Sequence, residues 1–329
     1  MSDRPLVAIT MGDPAGVGPE VTAKALAHET VWACCRPLLV GDAVVLAKAA
    51  ELLKASLQIH AITGVSEARF DPRAPDVLDL GNVDVEQLVP GHVSAAAGQA
   101  SVDYVTRAVE LAQAGEVAAI ATGPINKAAL RAAGVPHIGH TELLATLTGA
   151  SQATTMLTTP GLRVTHVTRH VPLRDVAAHI TQENVLRTIR VTDAGLREMG
   201  IAAPRLAVAA LNPHGGDEGL LGREEIDVIQ PAVEAARAEG VAVHGPIPAD
   251  SVFFRAIRGA FDAVVAMYHD QGHIPIKTHG FERSVTVTLG LPITRTSVDH
   301  GTAFDIAWQG VVNEESMVEA IRLAAQLAI

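Results

Sequence analysis

Short apolar runs alternate with helix-like stretches along almost the whole chain, and each run breaks off into glycine, proline or polar residues. PLVAIT (5–10) leads through a glycine turn to PEVTAKALAH, and PLLVGD (37–42) leads to AVVLAKAAELLKA. VAAIATGP (117–124) leads to INKAALRAAG, and LRVTHVTRH (162–170) leads to LRDVAAHIT and a further helix to about Gly200. RLAVAALNPHGG (205–216) leads to REEIDVIQPAVEAARAEG, and FDAVVAMYHD (261–270) is a further strand. SVTVTLG (284–290) and ITRTSV (293–298) read as a short strand pair, and SMVEAIRLAAQL closes the chain as a helix. Such alternation predicts an α/β fold, a largely parallel sheet with helices on both faces. The segment 66–100, with Pro72, Pro75 and Pro90, is the least regular and reads as a surface excursion or part of a hairpin. There is no repeat, low-complexity tract or obvious linker.

The length, 329 residues, suits two ordinary domains or one large α/β unit. Hydrophobic residues make up 48% and aromatics only 3%, so the core must be built from Ala, Val, Leu and Ile. The net charge is −11 and no Lys/Arg run exceeds two, which argues against a nucleic-acid or anionic-membrane surface. Cys34 and Cys35 are neighbours, and no CxxC pair exists for zinc or redox work, as expected of a reducing cytoplasm. The start MSDRPLVAIT reads as no signal peptide, and no apolar run approaches the ~20 residues of a membrane helix.

In parallel α/β sheets the C-terminal strand ends share an edge where ligands bind. The strands here end in MGDPAGVGPE, TGPINK, RHVPLRD, NPHGG and HDQGHIPIK. His170, His214, His269, Asn126, Lys127 and Lys277 are therefore candidates for one crevice. Three strand-end histidines suggest a metal such as Zn, Fe, Co, Ni or Cu, with a coordination position open to substrate. The plainer alternative is that each is a hydrogen-bonded loop residue. Asp270 either orients His269 or caps a turn. MGDPAGVGPE has the spacing G-x3-G-x-G, not the G-x-G-x-x-G of dinucleotide folds, which disfavours a Rossmann dehydrogenase. Lys127, Lys277, Arg295, His140 and Thr141 are the residue types a substrate phosphate or carboxylate needs.

Read together, MGDPAGVGPE (11–20), TGPINK (122–127), GHTELLA (139–145), RHVPLRD (169–175), LNPHGGDEG (211–219), GPIPAD (245–250), MYHDQGHIPIK (267–277) and LGLPITRTSVDHGTAFDIA (289–307) resemble the 4-hydroxythreonine-4-phosphate dehydrogenase family of vitamin B6 biosynthesis, PdxA. The resemblance spans nearly the whole chain. It implies two α/β/α domains of the isocitrate/isopropylmalate dehydrogenase kind with a cleft between them. Bounds of 1–135 plus 300–329 for a cofactor-side domain, and 136–299 for a substrate, metal and dimerisation domain, fit it. It also implies a homodimer with shared sites and one divalent metal (Zn, Mg, Mn or Co) held by His170, His214 and His269 from both subunits. The substrate contacts it implies are His140, Thr141, Lys277 and Arg295. NAD or NADP would lie along HGTAFDIA, at His300, Gly301, Thr302, Ala303 and Asp305.

Two departures bear on the substrate. The biosynthetic pattern has asparagine where this chain has Thr286, and runs HDQG-L-P where this chain has HDQGHIPIK. HDQGHIPIK resembles catabolic relatives acting on threonate or erythronate 4-phosphate, while Thr286 leaves the identity of the phosphorylated acyclic substrate open. A terephthalate-diol branch lacks GHTE, which this chain keeps. The implied reaction is oxidation of a secondary alcohol β to a carboxylate and then loss of CO2, with Lys277 and Asp270 as candidate proton carriers. Alternatives are a dihydrodiol dicarboxylate dehydrogenase, a metal-independent phosphate acyltransferase, and a non-catalytic binding protein on the same scaffold.

Overall fold

The computed structural model describes residues 4–137, 139–151 and 153–328. The chain forms two compact units, Met1–Ala153 with Leu291–Ile329, and Thr154–Gly290. In chain order the first unit contributes β1 (Leu6–Thr10), α1 (Gly18–Leu26), α2 (Glu29–Cys34), β2 (Arg36–Gly41), α3 (Ala43–Leu52), β3 (His60–Ile62), β4 (Asp76–Asp79), α4 (Ala95–Gln113), β5 (Ala119–Thr122), α5 (Lys127–Ala132) and α6 (His140–Thr148). The second unit holds β6 (Thr154–Thr159), β7 (Leu162–His166), α7 (Val176–His179), α8 (Gln182–Glu198), β8 (Leu206–Ala209), α9 (Gln230–Ala238), β9 (Val243–Ile247), α10 (Ala249–Ile257), β10 (Ala263–Ala266), α11 (His269–Gly280) and β11 (Val285–Leu289). The chain then returns to the first unit with β12 (Arg295–Val298) and α12 (Glu315–Leu327).

In the first unit the strand order is β3-β4-β2-β1-β5-β12, all parallel. In the second it is β11-β6-β7-β10-β8-β9, parallel from β7 to β9, with antiparallel pairs β11/β6 and β6/β7. The largely parallel α/β class read from the alternation is thus present. Several details differ. The segment 66–100 is neither an excursion nor a hairpin throughout: it contains β4, which pairs in parallel with β2 and β3. The reading of SVTVTLG and ITRTSV as strands holds: within their own units β11 pairs antiparallel with β6 and β12 pairs parallel with β5. The unit bounds also fall elsewhere than 135/136 and 299/300. Helix α6 packs on α4, and β12 hydrogen-bonds along β5, so both belong to the first unit.

Strand alternation decides what each side chain meets, because successive residues face opposite sides of a sheet. On β12 the Thr296 hydroxyl donates to the Ala320 carbonyl of α12 at 2.8 Å, so its neighbour Arg295 faces away from that helix. On β7 Thr165 meets Thr192 of α8 at 2.8 Å, while Val164 and His166 lie against Gly272 of α11. Helices therefore cover both faces of the second sheet. The cores are aliphatic, as a chain so poor in aromatics requires. Val7, Ile9, Leu38, Leu39, Leu46 and Ile120 are among the enclosed residues of the first unit, and Leu157, Val164, Val264 and Ile276 of the second. Each such side chain contributes about 1.5–3 kcal/mol by leaving water.

Candidate active site

In the first unit, three loops at strand ends lock onto one another. Gly12, at φ +78°, lies so close to the Pro124 carbonyl that any Cβ would stand 2.5 Å from its oxygen. Only glycine fits that conformation and approach. Asp13 N donates to the Pro124 carbonyl at 2.8 Å, and the Asp13 carboxylate accepts from Ala15 N at 2.8 Å. Its second oxygen, Oδ2, is buried with no hydrogen-bond partner. Burial raises the Asp13 carboxyl from 3.8 to about 6, against the opposing pull of the Ala15 N–H.

The segment from Asp299 to Gly310 is stitched to these loops. Val17 N donates to the Thr302 carbonyl at 3.0 Å, and Asn126 Nδ2 to Thr302 Oγ1 at 3.0 Å. Asn126 also caps α5, accepting from Ala128 N and Ala129 N. Buried Glu20, in the first turn of α1, accepts from Trp308 N at 2.5 Å and Gly310 N at 2.6 Å. MGDPAGVGPE, TGPINK and HGTAFDIA thus meet through named hydrogen bonds. The first of these is a turn that clamps a second loop, not a dinucleotide cradle by its spacing.

Arg295 and His140 form the other part of this unit's site. Arg295 is buried, and its Nε and Nη2 donate to Thr122 Oγ1 at 3.1 and 2.5 Å. Burial pushes the guanidinium down to about 9, so an anion brought beside it would regain what desolvation has cost. His140 opens α6 with Nε2 enclosed and without a hydrogen-bond partner. Burial first, and the Arg295 charge second, hold this imidazole well below its usual range, so it is neutral at pH 7. Thr141 follows it, half-buried, in the first turn of α6. Lys127 is exposed at the start of α5.

In the second unit, the ends of β7 and β10 run on together past the regular strands. Val167 N donates to the Ala266 carbonyl, and Thr168 donates to the Met267 carbonyl through both N and Oγ1. This extension brings the His170 ring to 6.1 Å from the His269 ring, centroid to centroid. His269 begins α11, and its Nδ1 is 2.6 Å from Asp270 Oδ1. Of the two roles open to Asp270, orienting His269 is the one its contacts fit. Lys277 lies two turns along α11, its Nζ 4.8 Å from the Phe281 ring centre. Thr286 is half-buried on β11, in register with Leu157.

His214 lies on the loop after β8. Five successive residues there, His214 to Glu218, have positive φ, between 48° and 81°. A left-handed run containing three non-glycine residues is strained. Buried Glu225 holds its entry, accepting from Leu211 N at 2.8 Å, Asn212 N at 2.7 Å and Asn212 Nδ2 at 2.9 Å. Among the described residues, no three His, Cys, Asp or Glu side chains stand close enough to hold one metal ion. The paired imidazoles of His170 and His269, one oriented by a carboxylate, nevertheless suit the donor set of a borderline divalent ion.

Sequence reading did not single out Asp13, Glu20, Glu225, Gln271, His166 or His273 for a role in the site. Gln271 had a signal, a polar residue between a buried strand and an apolar helix face. Its amide accepts from Met267 N and donates to the Ala210 carbonyl, both at 2.7 Å, joining the ends of β8 and β10. His166 had one too, since alternation along LRVTH turns it inward. Both its ring nitrogens are enclosed without a well-formed hydrogen bond, and burial, then the neighbouring His273 and His269, holds it well below its usual range.

Comparisons with known proteins identify the family. The family model for the pyridoxal phosphate biosynthetic protein PdxA matches residues 33–324. The D-threonate 4-phosphate dehydrogenase of Cupriavidus necator is 51% identical over 330 residues, spanning 100% of this chain and 99% of that protein. A 4-hydroxythreonine-4-phosphate dehydrogenase of Desulforapulum autotrophicum is 46% identical, spanning 98% of this chain and 95% of its own length. The crystal structure of 4-hydroxythreonine-4-phosphate dehydrogenase from Klebsiella pneumoniae matches with a TM-score of 0.92 and 46% identity, covering 99% of this chain and 98% of that one. With its strand-end motifs joined as described and full-length likeness to these enzymes, the chain belongs to the PdxA family and is a dehydrogenase.

Proposed function

We propose that the chain oxidises a four-carbon hydroxy acid phosphorylated at C4, with NAD or NADP as hydride acceptor, and that D-threonate 4-phosphate is preferred over 4-hydroxythreonine 4-phosphate. The observation that carries the anionic substrate is buried Arg295, a guanidinium whose desolvation an incoming phosphate or carboxylate would offset. The sugar-acid preference is supported by the 50% and 51% identity to two D-threonate 4-phosphate dehydrogenases, and by Thr286, where the resemblance to the biosynthetic enzymes leads us to expect asparagine.

In this reading Arg295 and Lys277 bind substrate charge, and His140 and Thr141 hydrogen-bond to it. Neutral His140 offers one donor and one acceptor without adding charge beside Arg295. His170, His214 and His269 would hold a divalent ion, Zn, Mg, Mn or Co, which when bound polarises the substrate hydroxyl and favours its deprotonation. Asp270 keeps His269 oriented, and Lys277 is the proton carrier. His300, Gly301, Thr302, Ala303 and Asp305 line the nicotinamide cofactor, on the segment that Glu20 and Asn126 hold. The first unit is then the cofactor side, and the second carries the metal ligands and the dimer contact.

The active form is a homodimer whose partner completes the metal site. Two features support this: the metal reading needs more ligands than one chain brings together among its described residues, and Leu173, Leu220, Phe254, Ile274 and Phe281 of the second unit are largely exposed.

The deciding experiment measures formation of the reduced cofactor by purified protein with Mg2+ or Zn2+. D-threonate 4-phosphate, D-erythronate 4-phosphate and 4-hydroxy-L-threonine 4-phosphate are run side by side. Higher kcat/KM on D-threonate 4-phosphate is expected. A preference for the amino acid would overturn the assignment and make Thr286 a tolerated substitution.

A further inference from the structure

We infer that His273 is a positioning residue for His269, fixing the plane of its imidazole through a stack of rings. The inference rests on the reading of His269 as a metal ligand. His269 is the first residue of α11 and its side chain is 40% exposed, so by itself the ring would be free to turn. One turn later His273 lies on the same helix face, as i, i+4 spacing requires. Its ring is stacked on that of His269, with centroids 3.5 Å apart and planes within 11°.

The stack is anchored at its other end. His273 Nδ1 lies 2.9 Å from the His269 carbonyl oxygen, an arrangement in which the ring N–H donates and cannot swing away. Behind it the buried His166 ring stands at 4.8 Å, tilted by 37°. His166 is wedged in turn against α11 itself: a Cβ on Gly272 would come within 2.2 Å of its Nε2. The sheet strand β7 therefore supports His166, His166 backs His273, and His273 supports the face of His269. Asp270 holds the edge of the same ring at Nδ1. With one face and one nitrogen committed, Nε2 is the atom of His269 left to bind a ligand, in a plane set before the ligand arrives. A leucine at 273 would fill similar space but has neither a flat face nor an N–H for the carbonyl.

The test measures Zn2+ binding to metal-free, full-length protein by competition with a chromophoric chelator, and repeats it with Co2+ to record its visible absorption bands. Four proteins are compared: wild type, His269→Ala, His273→Leu and His273→Phe. His269→Ala should lose high-affinity binding. If it binds as wild type does, the ligand reading of His269 fails and this inference with it. With that control lost as expected, His273→Leu should weaken Zn2+ binding by about tenfold, the scale of outer contacts on ligating histidines, and shift the Co2+ bands. His273→Phe, which keeps the flat face but not the N–H, should bind Zn2+ more tightly than His273→Leu. Wild-type affinity and bands in His273→Leu would overturn the inference while leaving the ligand reading standing. Equal losses in the Leu and Phe variants would also overturn it, because ring stacking would then not be the cause. If His273→Leu fails to fold, as judged by thermal melting of the metal-free protein, His273→Gln replaces it with the same expected loss.

Discussion

At the residue scale, two groups at the first unit's strand-end loops owe their distorted chemistry to burial. Arg295 is a cation kept from water, and Asp13 is a carboxyl kept from water with one oxygen unpaired. For Asp13 the folded chain favours the neutral form, because its pKa is raised from 3.8 to about 6. The stability this contributes is whole below about pH 4 and is lost as the pH rises through about 6. A shift of that size corresponds to about 3 kcal/mol. Urea unfolding of wild type and Asp13→Asn between pH 4 and 7 should therefore diverge, with wild type losing stability across this window and the variant staying flatter. Parallel curves would mean that the Asp13 carboxyl is solvated. Asp13 could not be picked out from letters alone, since Asp between Gly and Pro reads as a turn former. What makes it unusual is the Pro124 carbonyl and the closed surroundings, which come from a strand more than a hundred residues away.

At the element scale, the loop between β8 and α9 puts a strained backbone under a candidate ligand. Glu225 accepts from two backbone N–H groups and one amide at the start of that loop. Glu225→Ala would take the acceptor from the partly buried Leu211 and Asn212 N–H groups, while Asn212 Nδ2 keeps Glu224, at a cost of about 1–3 kcal/mol. It should lower the urea midpoint accordingly and weaken metal binding through His214. Glu225→Gln, which retains an acceptor for the backbone, should recover most of the stability. An unchanged midpoint in Glu225→Ala would show that the left-handed run holds itself. The letters NPHGGDEG announce a turn, but not that His214, Asp217 and Glu218 take positive φ along with the glycines. Likewise β3 and β4 span only a few residues each, too short for alternation to declare them. Pairing of β4 with β2, and of β3 with β4, makes them strands.

At the scale of the whole molecule, the proposed dimer can be tested without substrate. Light scattering after size exclusion should give twice the mass of one chain. Leu220→Glu, at a side chain 83% exposed, should shift the protein toward the monomer and abolish metal-dependent turnover, with helical content unchanged by circular dichroism. A fully active monomer would refute shared sites. The distribution of exposed apolar side chains is a property of the folded second unit and cannot be read from composition.

The sequence by itself determined the α/β class, because strand and helix periods are local patterns. It also determined the family, because long motifs in fixed order are preserved in the letters, and it located His140, His170, His214, His269 and Arg295 at element ends. Only the tertiary structure decided which of these meet and in what state. Arg295 against Thr122, Glu20 under Trp308, and the stacked rings of His269 and His273 on the support of His166 depend on register and packing between segments far apart in the chain. The polarity of each group follows from how completely those segments exclude water, and no local pattern encodes that.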